Sequence, residues 1–376
     1  MDMVIRNCTR RAWGSLRGWM FPLAAILLAL LASAVIMAFI GYDALLAYQC
    51  LLQGAFGSLN AIGETLVKAT SLIFVALSFA FAMRSGMYNL GGMGQFYLGA
   101  LFGGWIGYSI STLLPVAHIP LMLLCGFIGG AVYALLPALL KIYLGANELI
   151  STIMFNNIAM QILSMFVAGP MKDPNSINNA SQSPLMQESV DLPIILSGTR
   201  LHAGFLIAIA CLVAYWLFYS YSAKGYEVRV VGLNQGVAQY AGMNIAGNRL
   251  LTMLIGGGLA GIGGCVELMS VQSRLIQGFS SYLSFQGISV ALLGNCTPFG
   301  IFFSSVLYGA LNAGSTHMQM IAKVPVPILD ITQALIILFL AGRGILQRGW
   351  PLRKKGQARS CLLYTSPSPR DTERSR

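Results

Sequence analysis

Charged side chains are scarce in this chain. Only 9% of its 376 residues are Asp, Glu, Lys or Arg, whereas 56% are apolar. Soluble proteins average about 25% charged residues, and a chain with so few could not cover a water-facing surface. Lipid is therefore expected to be its main solvent. The composition excludes a soluble globular fold and predicts an all-α, polytopic membrane protein.

The residues that carry metal or nucleotide chemistry are equally sparse. The seven cysteines lie far apart without a C-x-x-C pair, and the three histidines are isolated, so neither a zinc site nor a disulfide framework is expected. The chain has no G-x-x-x-x-G-K-[ST] phosphate loop, no H-E-x-x-H pair and no cluster of Asp, Glu and His on one helix face. We predict no catalytic residue, no metal and no cofactor. Any energy source must be an ion gradient or a separate subunit.

What the chain has in abundance is apolar runs of membrane-spanning length. A helix needs about 20 apolar residues to cross a bilayer. Nine runs approach or meet that length, a tenth is short, and some are interrupted by glycine or polar residues. The predicted spans are Met20–Gly41, Leu66–Phe81, Phe96–Leu113, Ile119–Ile142, Leu149–Ala168, Ala203–Tyr219, Leu250–Val271, Phe285–Leu293, Gly300–Thr316 and Val326–Ala341. We expect about ten transmembrane helices, some discontinuous, and the short eighth span could be two half-helices.

The positive charge orients these spans. The net charge is +11, and basic residues that flank membrane spans mark the cytoplasmic side. No basic stripe is interleaved with aromatic residues, so no nucleic-acid partner is expected. The distribution predicts an N-in, C-in topology. The basic residues at the two ends are Arg6, Arg10, Arg11, Arg17, Arg343, Arg348, Arg353, Lys354, Lys355 and Arg359.

This topology divides the chain into four parts. Residues 1–19 form a cytoplasmic N-terminal segment, residues 20–342 the transmembrane domain, and residues 343–360 a basic cytoplasmic C-terminal segment. The tail at 361–376 changes abruptly to Ser, Pro and Arg, and Cys361–Asp371 resembles the translation of a transposon adaptor used in sequencing libraries. We expect that tail to be non-native.

One candidate functional stretch joins the second and third spans. Asn89–Gln95 reads NLGGMGQ, with polar side chains beside helix-breaking glycines between two apolar runs. Irregular backbone at membrane depth is tolerated where it lines a cavity or is buried by protein, and broken helices there offer free N–H and C=O groups to a polar solute. A tight turn with close helix packing is the other interpretation.

A second candidate stretch opens the fifth span. Asn147–Thr152 is followed by Asn156 and Asn157. Glu148 lies where helix N-terminal N–H groups can stabilise its charge, whereas the two asparagines lie deeper and face other helices or a pathway. Interhelical hydrogen bonding explains them equally well. The lone acids Glu267 and Asp330 interrupt later apolar runs and could bind a coupling ion.

Two hydrophilic segments separate the later spans. Pro170–Arg200 falls outside and is predicted to form a small ordered cap or a mobile loop. Ser220–Asn248 is the largest internal segment. Within it, Gln235–Ala246 predicts a short, mildly amphipathic helix after Gly232-Leu233-Asn234.

These stretches resemble the membrane permease of bacterial ABC importers, in the branch that handles nucleosides and simple sugars and is related to branched-chain amino-acid permeases. Asn89–Gln95 is similar to that family's N-I-G-G-E-G-Q signature, and Asn147–Thr152 with Asn156 to its N-E-V-I-S-T segment and following Asn. Gly225–Ile245 is similar to its G-x-N-x-x-A-A-x-Y-A-G segment. Three residues depart from the pattern: Met93 in place of Glu, Asn157 in place of an aromatic residue, and Val237 in place of Ala.

The resemblance implies a function and its partners. It implies a non-enzymatic permease subunit in the bacterial cell membrane that imports a nucleoside-like or simple-sugar solute. A second permease subunit of the same or a related chain, a cytoplasmic ATP-binding subunit and an extracytoplasmic solute-binding protein are expected beside it. An ion-coupled secondary transporter, with Glu267 and Asp330 as ion ligands, is the alternative.

The resemblance also implies the residues that act. The expected substrate-pathway residues are Asn89, Gln95, Glu148, Asn156 and Asn157. The ATP-binding subunit is expected to dock within Gly232–Met243. The expected coupling residues there are Gly232, Asn234, Tyr240, Ala241 and Gly242.

Overall fold

The computed structural model describes residues 24–110, 113–174, 181–279 and 283–347. Within these ranges the regular structure is helical, apart from two isolated β-bridges. The helices are α1 (Ala24–Ile40), α2 (Ala44–Phe56), α3 (Leu59–Arg84), α4 (Gly92–Ser109), α5 (Pro115–Leu144), α6 (Glu148–Ala168), α7 (Gly204–Tyr221), α8 (Ala223–Leu233), α9 (Gln235–Tyr240), α10 (Ile245–Glu267), α11 (Leu283–Leu293), α12 (Pro298–Ala322) and α13 (Pro327–Gln347).

The all-α, polytopic membrane class is confirmed. Five of the described helices are long and apolar enough to cross a membrane: α3, α5, α6, α7, and α10 together with the π-helical turn that extends it to Gln272. Each of the ten predicted spans overlaps one described helix, because the apolar runs that a bilayer requires are also the runs that form helices here. The ten-span count and the N-in, C-in orientation stay predictions.

Two helices were not predicted from the sequence. α2 has only 13 residues, about 20 Å at 1.5 Å per residue, so its apolar run is too short to read as a span. It follows a turn at Gly41, whose φ is +97°, and Asp43 caps it by accepting hydrogen bonds from the Leu45 and Leu46 N–H groups. The internal segment holds two helices, α8 and α9, where one was predicted.

The predicted terminal segments lie largely outside the described residues. This applies to residues 1–19, to the tail at 361–376 and to most of the basic segment 343–360. Residues 343–347 continue α13 as helix, so α13 extends beyond the predicted span end at Ala341.

Glycine lets α10 pack against α3, α4 and α5 with direct backbone contact. A Cβ atom on Gly261 would lie 2.1 Å from the Gly126 carbonyl oxygen in α5, and one on Gly264 would lie 2.1 Å from the Phe96 carbonyl oxygen in α4. On the α3 side, a Cβ on Gly256 would lie 2.7 Å from the Ser78 carbonyl oxygen. Because lipid supplies no hydrophobic drive between helices, such close approach is a main source of their association.

α3 is the central helix of the bundle. Every residue from Ala69 to Ala82 is buried. α10 covers one part of its surface, and α12 covers another, where a Cβ on Gly309 would lie 2.5 Å from the Thr65 carbonyl oxygen. Any displacement of α3 is therefore transmitted to both neighbours.

The described part of Pro170–Arg200, the segment predicted to lie outside, is an ordered cap. The Ser183 N–H donates to the Leu275 carbonyl at 3.0 Å, and the Leu275 N–H donates to the Ser183 Oγ at 2.9 Å. The Arg200 guanidinium lies 3.5 Å from the Glu64 carboxylate at the start of α3.

Burial, with a smaller contribution from Arg200, lowers the pKa of His202 to about 4, so its ring is neutral at pH 7.

We predict that Gly261→Val destabilises the bundle. Its side chain would meet the α5 backbone, which cannot move away as a flexible side chain can. Overpacking of this kind costs about 1–3 kcal/mol in free energy of unfolding. The check is the thermal unfolding midpoint of the purified protein in detergent. Gly236→Ala in α9 is the control, since only the Asn234 Oδ1 atom lies near its Cβ position, at 3.3 Å. Equal midpoints for both variants would contradict the packing role.

Candidate functional site

The α3–α4 connection re-enters the protein before α4 begins. α3 ends at Arg84, and the chain reverses at Gly86, whose φ is +76°. α4 starts at Gly92, where a Cβ atom would lie 3.0 Å from Val75 Cγ1. Val75 is nine residues, or about 13 Å, back along α3. The irregular backbone at residues 89–91 therefore lies deep in the bundle, and α4 begins there.

Asn89 and Gln95 hold this connection together by pairing their amides. Asn89 Nδ2 donates to Gln95 Oε1 at 2.9 Å, and Gln95 Nε2 donates back to Asn89 Oδ1 at 3.0 Å. Ser78 of α3 joins them, accepting from Asn89 at 2.9 Å and donating to Gln95 Oε1 at 2.8 Å. Both amides are only 1% exposed. The network ties the start of α4 to the middle of α3.

Asn156 clamps the same connection from α6. Its Oδ1 accepts from the Gly94 N–H at 2.8 Å, and its Nδ2 donates to the Leu90 carbonyl at 2.8 Å. One side chain thus satisfies a free N–H at the first turn of α4 and a carbonyl in the loop before it. Asn157, the next residue, lies about 100° further round α6 and is exposed.

Glu148 has a different environment from these three residues. It is the first residue of α6, and its carboxylate lies 2.5 Å from Lys141 Nζ near the end of α5. Asn147 caps α6 by accepting from the Leu149 N–H at 3.0 Å. Of the five predicted pathway residues, the structure brings together Asn89, Gln95 and Asn156.

The internal segment forms two short helices with an exposed apolar surface. Ser222 caps α8 and Asn234 caps α9, each accepting from a backbone N–H in the first turn. Gly242 ends the turn after α9 with φ +72°. Leu233 is 87% and Tyr240 97% exposed, whereas Ala238 is buried. An apolar surface of this kind is typical of a protein contact.

Gly232 brings α8 into contact with the end of α3. A Cβ atom there would lie 2.1 Å from the Arg84 carbonyl oxygen. Arg84 itself donates to the Cys296 carbonyl at 2.8 Å and to the Tyr215 hydroxyl at 3.2 Å. A cavity of about 300 Å³, lined by Arg84, Arg229 and Gly232 among others, adjoins this junction. The end of α3 thus joins α7, α8 and the α11–α12 turn.

Sequence reasoning missed a polar cavity at the other end of α3. It has a volume of about 710 Å³ and lies between α2, α3 and α12. Its polar lining residues are Gln53, Ser58, Asn60, Glu64, Lys68, Asn312, Thr316 and His317. They fall on three helices and form no sequence motif. The available signal was the amide of Asn312 within the predicted span Gly300–Thr316.

The two lone acids lie on helices with different neighbours. Glu267 is buried at the end of α10 and accepts a hydrogen bond from Ser71 Oγ of α3. Asp330 is exposed near the start of α13. Among the described residues, no group of three or more His, Cys, Asp or Glu side chains could hold a metal ion.

Comparison with known proteins identifies relatives along almost the whole chain. A family described as "Branched-chain amino acid transport system / permease component" matches residues 61–341. The guanosine ABC transporter permease protein NupP of Bacillus subtilis (strain 168) is 35% identical over 85% of this chain and 92% of its own length. The nucleoside ABC transporter permease protein NupB of Lactococcus lactis subsp. cremoris (strain MG1363) is 34% identical over 89% and 93%.

A sugar transporter subunit is among the relatives as well. The glucose ABC transporter permease protein TsgB13 of Haloferax volcanii is 31% identical over 85% of this chain and 86% of its own length. No solved structure matches.

We predict that Asn156→Leu destabilises the protein and that Asn157→Leu does not. The first change leaves the Gly94 N–H and the Leu90 carbonyl without their partner, and each unsatisfied buried group costs about 1–3 kcal/mol. The second change replaces an exposed amide on the same helix. Thermal unfolding midpoints in detergent provide the check. Matching midpoints for the two variants would show that Asn156 does not clamp α4.

Proposed function

The chain belongs to the permease-component family of the branched-chain amino acid transport system and is a membrane-spanning permease of an ABC importer, and we propose that it imports a nucleoside-like or simple-sugar solute. The observation that carries the proposal is the extent of the match to NupP and NupB, which covers 92% and 93% of those two proteins. Those two proteins are named for guanosine and for nucleosides. The 31% identity to TsgB13, named for glucose, keeps simple sugars in the proposal.

The proposed docking site for the ATP-binding subunit is the surface of α8 and α9. Leu233, Val237 and Tyr240 are exposed apolar or aromatic side chains there, at 87%, 56% and 97%. Asn234, Ala241 and Gly242 shape the segment as cap and turn residues. ATP hydrolysis takes place in that separate subunit. In the predicted orientation these helices face the cytoplasm, where ATP is available.

The proposed route of coupling runs through Gly232. Closure of the ATP-binding subunits pushes α8 and α9, and Gly232 transmits the push to the end of α3 because no side chain separates the two backbones. α3 then moves against α10 and α12. ATP needs only to bias a permease that has two packed states, outward-open and inward-open.

The other proposed assignments follow from this arrangement. Asn89, Gln95 and Asn156 fix the start of α4 in the pathway wall. Asn157 and Glu148 lie further from it. A second permease subunit completes the transmembrane pathway, and an extracytoplasmic solute-binding protein delivers solute near the external cap. The site of action is the bacterial cell membrane.

Competition of uptake tests the solute class. The protein is reconstituted into ATP-loaded liposomes with its ATP-binding subunit, partner permease and solute-binding protein. Uptake of labelled guanosine is measured with excess unlabelled nucleosides, ribose, glucose or leucine. We expect nucleosides or one of the sugars to suppress uptake of the label, or to be transported when labelled themselves. Transport of leucine alone would contradict the proposal.

We predict that Gly232→Leu abolishes transport while the ATP-binding subunit still binds. The new side chain would meet the Arg84 carbonyl and force α8 away from α3, but the exposed docking surface would remain. Tyr240→Ala should instead weaken co-purification of the ATP-binding subunit, because it removes the most exposed aromatic contact of α9. Tyr143→Ala, an exposed tyrosine near the end of α5, is the control for co-purification. Wild-type uptake by the Gly232 variant would refute this route of coupling.

A further inference from the structure

Three amide side chains from three different helices meet beside the middle of α3. Asn312 of α12 donates from Nδ2 to Gln286 Oε1 of α11 at 2.7 Å. Its Oδ1 accepts from Gln286 Nε2 at 3.3 Å and from Gln333 Nε2 of α13 at 3.2 Å. Gln286 and Gln333 are 7% and 4% exposed. This amide cluster (Gln286, Asn312 and Gln333) contains no charged side chain.

The position of the amide cluster along α3 follows from the packing of its helices. Gly309, one turn before Asn312, lies against Thr65 of α3, and Gly287, next to Gln286, lies against Val75. The cluster is therefore level with the stretch between Thr65 and Val75, near the centre of the 26-residue α3. Polar groups at this depth are costly unless they are paired or functional.

Asn312 connects the amide cluster to the polar cavity. Of the three amides, Asn312 alone is among the residues that line the 710 Å³ space between α2, α3 and α12, and it is partly exposed there. That volume is in the range of small-molecule sites. The two glutamines lie behind it and hold its orientation.

The hydrogen bonds within the cluster leave a defined group on Asn312. A carboxamide has two acceptor lone pairs and two donor hydrogens. The bonds from Gln286 and Gln333 use both lone pairs of Oδ1, and the bond to Gln286 uses one Nδ2 hydrogen. One N–H donor remains, on the residue that faces the cavity. This N–H can donate to an acceptor on a solute.

The polar lining of the cavity is mostly uncharged, and its charged side chains are Glu64 and Lys68. The Glu64 carboxylate is engaged by Arg200 at 3.5 Å. The remaining wall beside Asn312 is rich in uncharged polar groups, including Gln53, Asn60 and Thr316. Nucleobase edges present neutral acceptors, and the remaining N–H of Asn312 can donate to one of them.

We propose that Asn312, held by Gln286 and Gln333, is a specificity-determining residue that reads the base of a nucleoside in this cavity during transport. This inference rests on the proposed function and narrows its solute class to nucleosides. Asn312 donates its remaining Nδ2 hydrogen to an acceptor on the base edge. The other polar groups of the cavity contact the ribose hydroxyls.

Relative uptake of different nucleosides tests the proposal. The reconstituted importer described above, with saturating loaded binding protein, is assayed with guanosine, adenosine and cytidine, whose base edges differ. Asn312→Asp keeps the size of the side chain but removes its N–H donors, and Asn312→Leu removes all its polar groups. We expect the uptake rate of the preferred nucleoside to fall about tenfold or more, the magnitude of one lost hydrogen bond at a buried site. The ratio of rates between nucleosides should change at least about fivefold by the same argument.

Two controls separate recognition from folding. Gln161→Leu replaces an exposed amide on α6 and should leave uptake within about twofold of wild type, as expected for a surface change. ATP hydrolysis stimulated by the loaded binding protein should persist in the Asn312 variants, since the docking helices are untouched.

The outcomes distinguish this inference from the proposed function. Equal loss of uptake for every nucleoside, with unchanged ratios, would show that the amide cluster only holds helices together and would overturn the inference. Wild-type uptake in both Asn312 variants would overturn it too. Transport of sugars but not nucleosides by the wild type would also overturn it while leaving the importer function intact. If the wild type transports neither class, the proposed function itself fails.

Discussion

Contact between glycine backbones around α10 is the constraint on which the rest of the structure depends. A membrane offers no hydrophobic gain for bringing two apolar helices together, so close backbone approach must supply it. Gly261 and Gly264 let α10 touch α5 and α4, and Gly256 lets it touch α3. The same backbone contacts place α3 at the centre of the bundle, where each of its faces packs against a neighbouring helix.

The position of α3 links the two ends of the proposed transport cycle. At one end its last carbonyl lies against Gly232, and Arg84 joins it to Tyr215 and the Cys296 carbonyl. At the other end Glu64 and Lys68 line the polar cavity. Closely packed helices move as rigid bodies with small shifts at their interfaces. In the proposed route, a push on α8 reaches the cavity through one helix, without a long chain of side-chain contacts.

The sequence predicted most of the fold because lipid demands long apolar runs, and such runs are visible in one dimension. α2 and α8 were not predicted, since neither helix is long enough to span a membrane. The NLGGMGQ stretch was correctly placed at a break, but its partners could not be known, because Asn156 lies 62 residues from Gly94. The amide cluster was missed for the same reason: Asn312 lies 26 residues from Gln286 and 21 from Gln333. Contacts of this kind depend on which helices are neighbours.

An ABC permease and an ion-coupled carrier differ most directly in their energy source. Liposomes containing the complete importer can be loaded with ATP or left empty, and treated with a protonophore and a sodium ionophore. We expect solute uptake to require internal ATP and to persist when the ion gradients are collapsed, because Glu267 is held by Ser71 and Asp330 lies exposed on a helix with other neighbours. Uptake that proceeds without ATP and stops when the ion gradients collapse would contradict this.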